Sequence, residues 1–149
     1  MKNLLKLLGS RLSPKTLLRI ITVVSLVGVA DTVYLAANHY SGVDVRCFLL
    51  EGCEMVLTSS YSTIIGIPLA ILGVIFYSGI FILVNLIDLY GGKFLPKALV
   101  GVGIIGFVAS LYFLYLQVFI IEALCIYCLI SLTSLTVIFI LAIMVYKHE

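Results

Sequence analysis

The sequence predicts an all-α integral membrane protein: a four-transmembrane-helix bundle with an N-terminal amphipathic interfacial helix and an extracytoplasmic loop between helices 1 and 2. Three observations carry that prediction. The 149 residues are 63% hydrophobic and 11% charged, with a mean hydropathy of +1.28, and so few charges cannot cover the surface of a water-soluble domain. The apolar residues gather into four runs, each near the about 20 residues that cross about 30 Å of hydrocarbon. Lys and Arg concentrate in alternate connecting segments, as the charge asymmetry of membrane proteins requires. The length fits a single domain, residues 1–149, and a net charge of +2 gives no footprint for nucleic acid.

Residues 1–19 carry Lys2, Lys6, Arg11, Lys15 and Arg19 and no acid, with Leu4, Leu5, Leu8 and Leu12 at helical spacing. This reads as an amphipathic helix on the membrane surface, broken near Ser13-Pro14. A signal peptide is the competing reading, but the next span is long and no small-x-small cleavage site follows it. The first span is expected at about Ile20–Ala37. Residues 38–63 form the longest polar stretch. The second span is expected at about Ile64–Leu86, with Pro68 in its first turn, where a missing N–H does least harm. Gly91, Gly92 and Pro96 then make a short turn. The third span is placed at about Ala98–Ile121 and the fourth at about Cys125–Tyr146. All-round apolar composition and length favour helices over buried strands.

The orientation follows from the charges. Of the Lys and Arg residues, only Arg46 falls outside the N-terminal segment, the 88–97 turn and the C-terminal tail. Those three segments are therefore expected in the cytoplasm, and an even number of spans makes the assignment consistent. The 38–63 loop and the short connection at Glu122 then face outwards, in a multi-pass protein of the cell membrane, and all four cysteines go with them.

The cysteines fall in two close pairs, Cys47/Cys53 and Cys125/Cys128. Helices in lipid satisfy their own backbone groups, so the pairs are not needed as staples. Cys125-Ile-Tyr-Cys128 is a C-x-x-C motif opening a helix. Its i, i+3 spacing puts both sulfurs on one face, and the helix N-terminus favours the Cys125 thiolate. Gly52 allows a bend before Cys53. At about 3.3 Å per extended residue, either loop sulfur can reach the fourth helix, so all three disulfide pairings are open. Two fixed disulfides are one reading. A four-thiolate metal cage is another, but it needs thiols kept reduced on an oxidising face, and no metal is expected. A redox relay by thiol–disulfide exchange uses the geometry best.

The run Cys47…Gly-Cys-Glu-Met-Val-Leu-Thr-Ser-Ser-Tyr, then Gly66-Ile-Pro-Leu-Ala-Ile-Leu-Gly-Val-Ile-Phe-Tyr77, then Cys125-Ile-Tyr-Cys128 resembles the vitamin K epoxide reductase family, and its prokaryotic members most. The order and distances of the three motifs make the resemblance specific, and it covers the chain from the first span to the end. It implies a four-helix bundle around a quinone, an oxidoreductase that oxidises a thioredoxin-fold partner and passes the electrons to a membrane quinone such as ubiquinone or menaquinone, supporting disulfide formation outside the cytoplasm. Cys47 is then the exchange point with the partner. Cys53 hands electrons to Cys125 through a transient Cys53–Cys125 disulfide, and Cys128 sits beside the quinone. Ser59 matches a serine near the family's active site, though it also suits a helix N-cap. Many prokaryotic members carry a fused thioredoxin domain. The chain stops at Glu149, so a separate partner is expected on the extracytoplasmic side. Leu69 and Leu132 stand where animal members have an asparagine and a tyrosine associated with vitamin K and its epoxide. That favours plain quinone reduction over vitamin K epoxide reduction.

A quinone is flat, apolar and lipid-soluble, and takes two electrons with two protons. Candidate walls for it are Phe76, Tyr77, Tyr112, Phe113, Tyr115 and Phe119, of which at most half are expected to touch a ligand. Asp31 is the one ionisable residue well inside the first span, a functional signal by default; it anchors the outer loop or moves protons to the quinone. Glu122, three residues before Cys125, is either a base for that thiol or an interfacial charge. Two other classes compete. An unrelated four-helix family does the same job, with its C-x-x-C on the first outer loop. A non-enzymatic protein could bind or transport a metal through its thiolates.

Overall fold

The computed structural model describes residues 13–42, 52–92 and 94–148. The interfacial segment up to residue 12 and Cys47 with its neighbours lie outside the described residues. Four of the described helices are long and apolar enough to cross a membrane. The first, α1 (Pro14–Ser41), opens with Pro14 at the first helical position, where its missing N–H would have had no partner anyway. Ser13 offers its carbonyl to the N–H groups of Thr16 and Leu17 at 2.9 and 3.1 Å. The expected break near Ser13-Pro14 is thus the start of the spanning helix. Gly42 ends it at φ 62°, the left-handed cap that glycine adopts freely.

A small cap follows: α2 (Cys53–Thr58), a 3-10 turn (Ser60–Ser62), and the two-residue strands β1 (Thr63–Ile64) and β2 (Ile67–Pro68). The strands are antiparallel, Thr63 opposite Pro68 and Ile64 opposite Ile67. Ile65 and Gly66 turn the hairpin at φ 53° and 77°, consecutive positive values that suit a two-residue hairpin loop. The second span was expected from Ile64, but its helix, α3 (Leu69–Tyr90), starts five residues later. Gly66 accepts the left-handed turn, and Pro68 biases Ile67 towards extended backbone, so the apolar run folds back before it becomes helix. Pro68 stands just before α3 instead of inside its first turn.

Gly91 and Gly92, both at positive φ, reverse the chain into α4 (Phe94–Tyr115). The end of α4 widens into a π-helical segment, Leu116–Ile121. Glu122 closes it in the left-handed conformation at φ 55°. The last helix is α5 (Ile126–His148).

α1 packs most extensively on α3 and then on α5, and α4 leans on α5. The sequence neighbours α3 and α4 touch only sparsely. The dry core is Leu17, Leu18 and Ile21 of α1, Ile80, Val84 and Ile87 of α3, Leu99 of α4, and Leu135, Ile138, Ala142 and Val145 of α5. All but Leu135, which also borders the hollow, lie in the half of the bundle nearer the Gly91–Gly92 turn. Tyr77 closes this core from above. Its hydroxyl bonds the Ser131 side chain at 2.8 Å and donates to the Ser131 carbonyl at 3.0 Å. Its ring lies so close over Gly28 that a Cβ there would overlap it. Above Tyr77 the helices diverge and enclose a hollow.

Candidate functional site

Cys53 is the first residue of α2 and 1% exposed, while Cys125, just before α5, is fully buried. The two belong to one buried cluster with Val56, bordered by Ile121, Ala123, Ile126, Tyr127 and Cys128. Gly52 makes this approach possible. A Cβ on it would stand 2.9 Å from the backbone N and O of Leu124 and 3.0 Å from the Ala123 Cβ, so α2 sits directly on the linker that carries Cys125. Cys53 is disulfide-bonded, whereas Cys125 and Cys128 are thiols.

Cys125 occupies the cap position of α5, and its carbonyl accepts the first helical bond from the Leu129 N–H at 3.1 Å. Beside its sulfur stand the Cys128 thiol and the backbone N–H groups of Cys128 and Tyr127. These outweigh burial and lower its pKa to about 7. The physical cause is a thiolate held by donors at a helix N-terminus.

Gln117, which the sequence reading passed over, completes the arrangement. It is 3% exposed, and its Oε1 accepts the Cys125 N–H at 2.9 Å. The same side chain lies within hydrogen-bond range of Cys128. The π segment aims it there: its own carbonyl is taken by the N–H groups of Glu122 and, at 3.1 Å, Ala123. An amide near the C-terminal end of an apolar span was the signal, since such groups rarely stay in lipid without a task.

Below Cys128 lies the hollow, a cavity of about 940 Å³. It draws on all four spanning helices and is roofed by the cap residues from Glu54 to Ile64. Phe76, Tyr77 and Phe113 line it, as do Leu69, Leu132 and Gln117. Tyr112, Tyr115 and Phe119 are not among its walls; they are 55%, 53% and 68% exposed on the outside of α4 and the π segment. Helical phase explains the split, because Phe113 and Gln117 point inwards four residues apart. Ser59 lines the roof, but its hydroxyl donates to the Val56 carbonyl at 2.7 Å, so it closes α2 and does not act as an N-cap. Asp31 faces the cavity from α1, with Oδ2 buried and without a hydrogen-bond partner among the described residues. Glu122 is exposed, and its backbone shapes the linker. Tyr127 also reaches the cavity and packs on Tyr34, ring centres 5.4 Å apart.

A model of the vitamin K epoxide reductase family matches residues 19–143. The chain belongs to the vitamin K epoxide reductase family. Comparison with curated proteins found no match. Vitamin K epoxide reductase family members are membrane oxidoreductases that use quinones as electron partners. With four apolar helices, this family member is a multi-pass membrane protein. In it the matched segment runs from the first turns of α1 almost to the end of α5, and so contains the cap, the C-x-x-C pair and the whole cavity wall.

Proposed function

We propose that this protein is a membrane thiol:quinone oxidoreductase. It oxidises a separate thioredoxin-fold partner outside the cytoplasm and passes two electrons through its cysteine pairs to a quinone in the cavity. The observation that carries this reading is the position of the C-x-x-C pair: Cys125 is buried against Cys53, while Cys128 faces a largely apolar cavity. The cavity volume of about 940 Å³ falls within the usual range for small-molecule sites. The side chains at Leu69 and Leu132, both on the cavity wall, offer no polar group to an epoxide, which supports plain quinone reduction. The membrane sidedness belongs to the same proposal. Lys15, Arg19, Lys97 and Lys147 all lie at the end of the bundle away from the described cysteines, which supports cytoplasmic termini and outward-facing thiols.

The relay balances in thiols and electrons. The partner's dithiol reduces the loop pair at Cys47, and its own sulfurs become a disulfide. The Cys53 thiolate then attacks Cys125 of an oxidised Cys125–Cys128 pair. A Cys53–Cys125 bond forms and Cys128 leaves as a thiolate. Cys47 displaces Cys125 from Cys53, leaving the C-x-x-C pair reduced beside the cavity. Re-forming the Cys125–Cys128 bond delivers two electrons to the quinone, which leaves as quinol with two protons. The low pKa of Cys125 makes it a good leaving group in this exchange.

The test is anaerobic stopped-flow mixing of the purified protein with a reduced thioredoxin-fold protein and a short-chain quinone, followed by the ultraviolet change of quinol formation. Quinol should appear with wild type and disappear with Cys128→Ala. Cys47→Ala should block only the partner step. In Cys128→Ala the same exchange can be entered from the other side: the Cys125 thiolate attacks Cys53 of the oxidised loop pair, Cys47 leaves as a thiolate, and with no Cys128 to resolve the bond peptide mapping should find the Cys53–Cys125 link accumulating. Its absence under oxidising conditions would remove this route.

A further inference from the structure

Quinone reduction consumes two protons, and a dithiol supplies both only when both sulfurs are protonated. In the thiolate form that its surroundings favour at Cys125, only the Cys128 thiol brings a proton of its own. A second donor is therefore needed inside a cavity whose deep walls are apolar. Two carboxyl groups line it: Glu54, exposed on the cap, and Asp31, within the first spanning helix. Asp31 faces the cavity between Thr32 and Leu35 on one side of α1. Its Oδ2 is buried and has no hydrogen-bond partner among the described residues. It lies close enough to act electrostatically on Cys125, Cys128 and Tyr127 at the C-x-x-C motif and on Tyr77 across the cavity.

We propose that Asp31 is the proton donor to the quinone oxygen during electron transfer from the C-x-x-C pair, an inference that rests on the quinone reading above. The Asp31 carboxyl gives its proton to one quinone oxygen, and the Cys128 thiol proton completes the quinol. The Cys125 and Cys128 sulfurs join and lose two electrons, and the quinone gains them. The charge lost with the Cys125 thiolate reappears on the Asp31 carboxylate. Asp31 is reprotonated from the polar rim, where Asn38 and His39 line the same cavity; two turns of α1 separate them, about 12 Å at 1.5 Å per residue. The other titratable groups facing this space are Glu54 and Tyr61 of the cap, Tyr77 of α3, and Tyr127 and Cys128 of α5.

The experiment uses the full-length protein in detergent, reduced beforehand, in a single anaerobic turnover with a short-chain ubiquinone. Wild type, Asp31→Asn and Asp31→Glu are compared across pH and in heavy water. Asp31→Asn should slow quinol formation by about 100-fold, the low end of general-acid effects, and lose the wild-type solvent isotope effect. Asp31→Glu should recover much of both, and thiol exchange between a thioredoxin-fold dithiol and the loop should keep its wild-type rate in both variants. Asp31→Asn reacting at wild-type rate with an unchanged pH profile overturns the proposal. Equal slowing of quinol formation and thiol exchange overturns it too, because that marks a structural role. Wild type giving no quinol is a failure of the quinone reading itself, and so is distinguishable from a failure of Asp31 alone.

Discussion

At Cys125 three donors converge on one sulfur: the Cys128 thiol first, then the N–H groups of Cys128 and Tyr127. A thiol with its ordinary value near 9 ionises only in mildly alkaline solution, whereas this one is lowered to about 7. The thiolate fraction should therefore rise with pH through neutrality and level off well below the range of a free cysteine. Ultraviolet thiolate absorbance, taken as the difference between wild type and Cys125→Ser, measures it. Cys128→Ala deletes the strongest donor, so the midpoint should move upwards towards the ordinary thiol value. A midpoint that stays put would mean the helix N-terminus alone holds the charge. Gln117 acts one bond further out. Without its carbonyl oxygen the Cys125 N–H is left buried and unpaired, a loss of about 1–3 kcal/mol.

The cap and the π segment are the elements that bring Cys53 against the C-x-x-C pair, and they are also where the sequence was least legible. The four spans could be read because lipid forces every backbone group to pair within its own helix, leaving long apolar runs. The hairpin hid inside one of those runs: Ile64, Ile65 and Ile67 have the composition of a span, and only Gly66 and Pro68 mark the turn. The π widening at Leu116–Ile121 has no compositional signature, so the inward aim of Gln117 could not be read. The aromatic walls divided for a related reason. Helices that are apolar all round carry no phase information, and nothing in the sequence separates Phe113 from Tyr112 or Tyr115. The cysteine pairs and Asp31 were legible because lipid-facing segments make such groups conspicuous. The contact of α2 with the 123–124 linker yields its own test. Gly52→Val places carbon against the Leu124 backbone, where a Cβ would stand 2.9 Å away, and the linker has no flexible side chain there to yield. The variant should form the Cys53–Cys125 link at least about 10-fold more slowly than wild type, the scale set by about 1.4 kcal/mol of overpacking. A pre-reduced C-x-x-C pair in the same variant should still reduce quinone at the normal rate.

Across the whole molecule, packing is divided lengthwise. One half holds an interior of Leu, Ile and Val; the other is hollow and carries the sulfurs at its rim. Stability should reside in the first half and turnover in the second. Ile138 is fully buried in the core, and Ile138→Ala should cost about 2–5 kcal/mol, seen as a lower thermal midpoint in detergent with little change in the quinone concentration needed for half-maximal rate. Leu132 lines the cavity, and Leu132→Trp adds an indole where the proposed substrate sits. That variant should keep its thermal midpoint and still form the Cys53–Cys125 link, but lose quinol formation. If Leu132→Trp turns over quinone normally, the electron acceptor does not use this hollow. If it unfolds at lower temperature than Ile138→Ala, the hollow half is not the spare volume that its sparse α3–α4 contact implies. The two substitutions together separate a bundle that merely tolerates a void from one that keeps it open for a lipid-soluble ring.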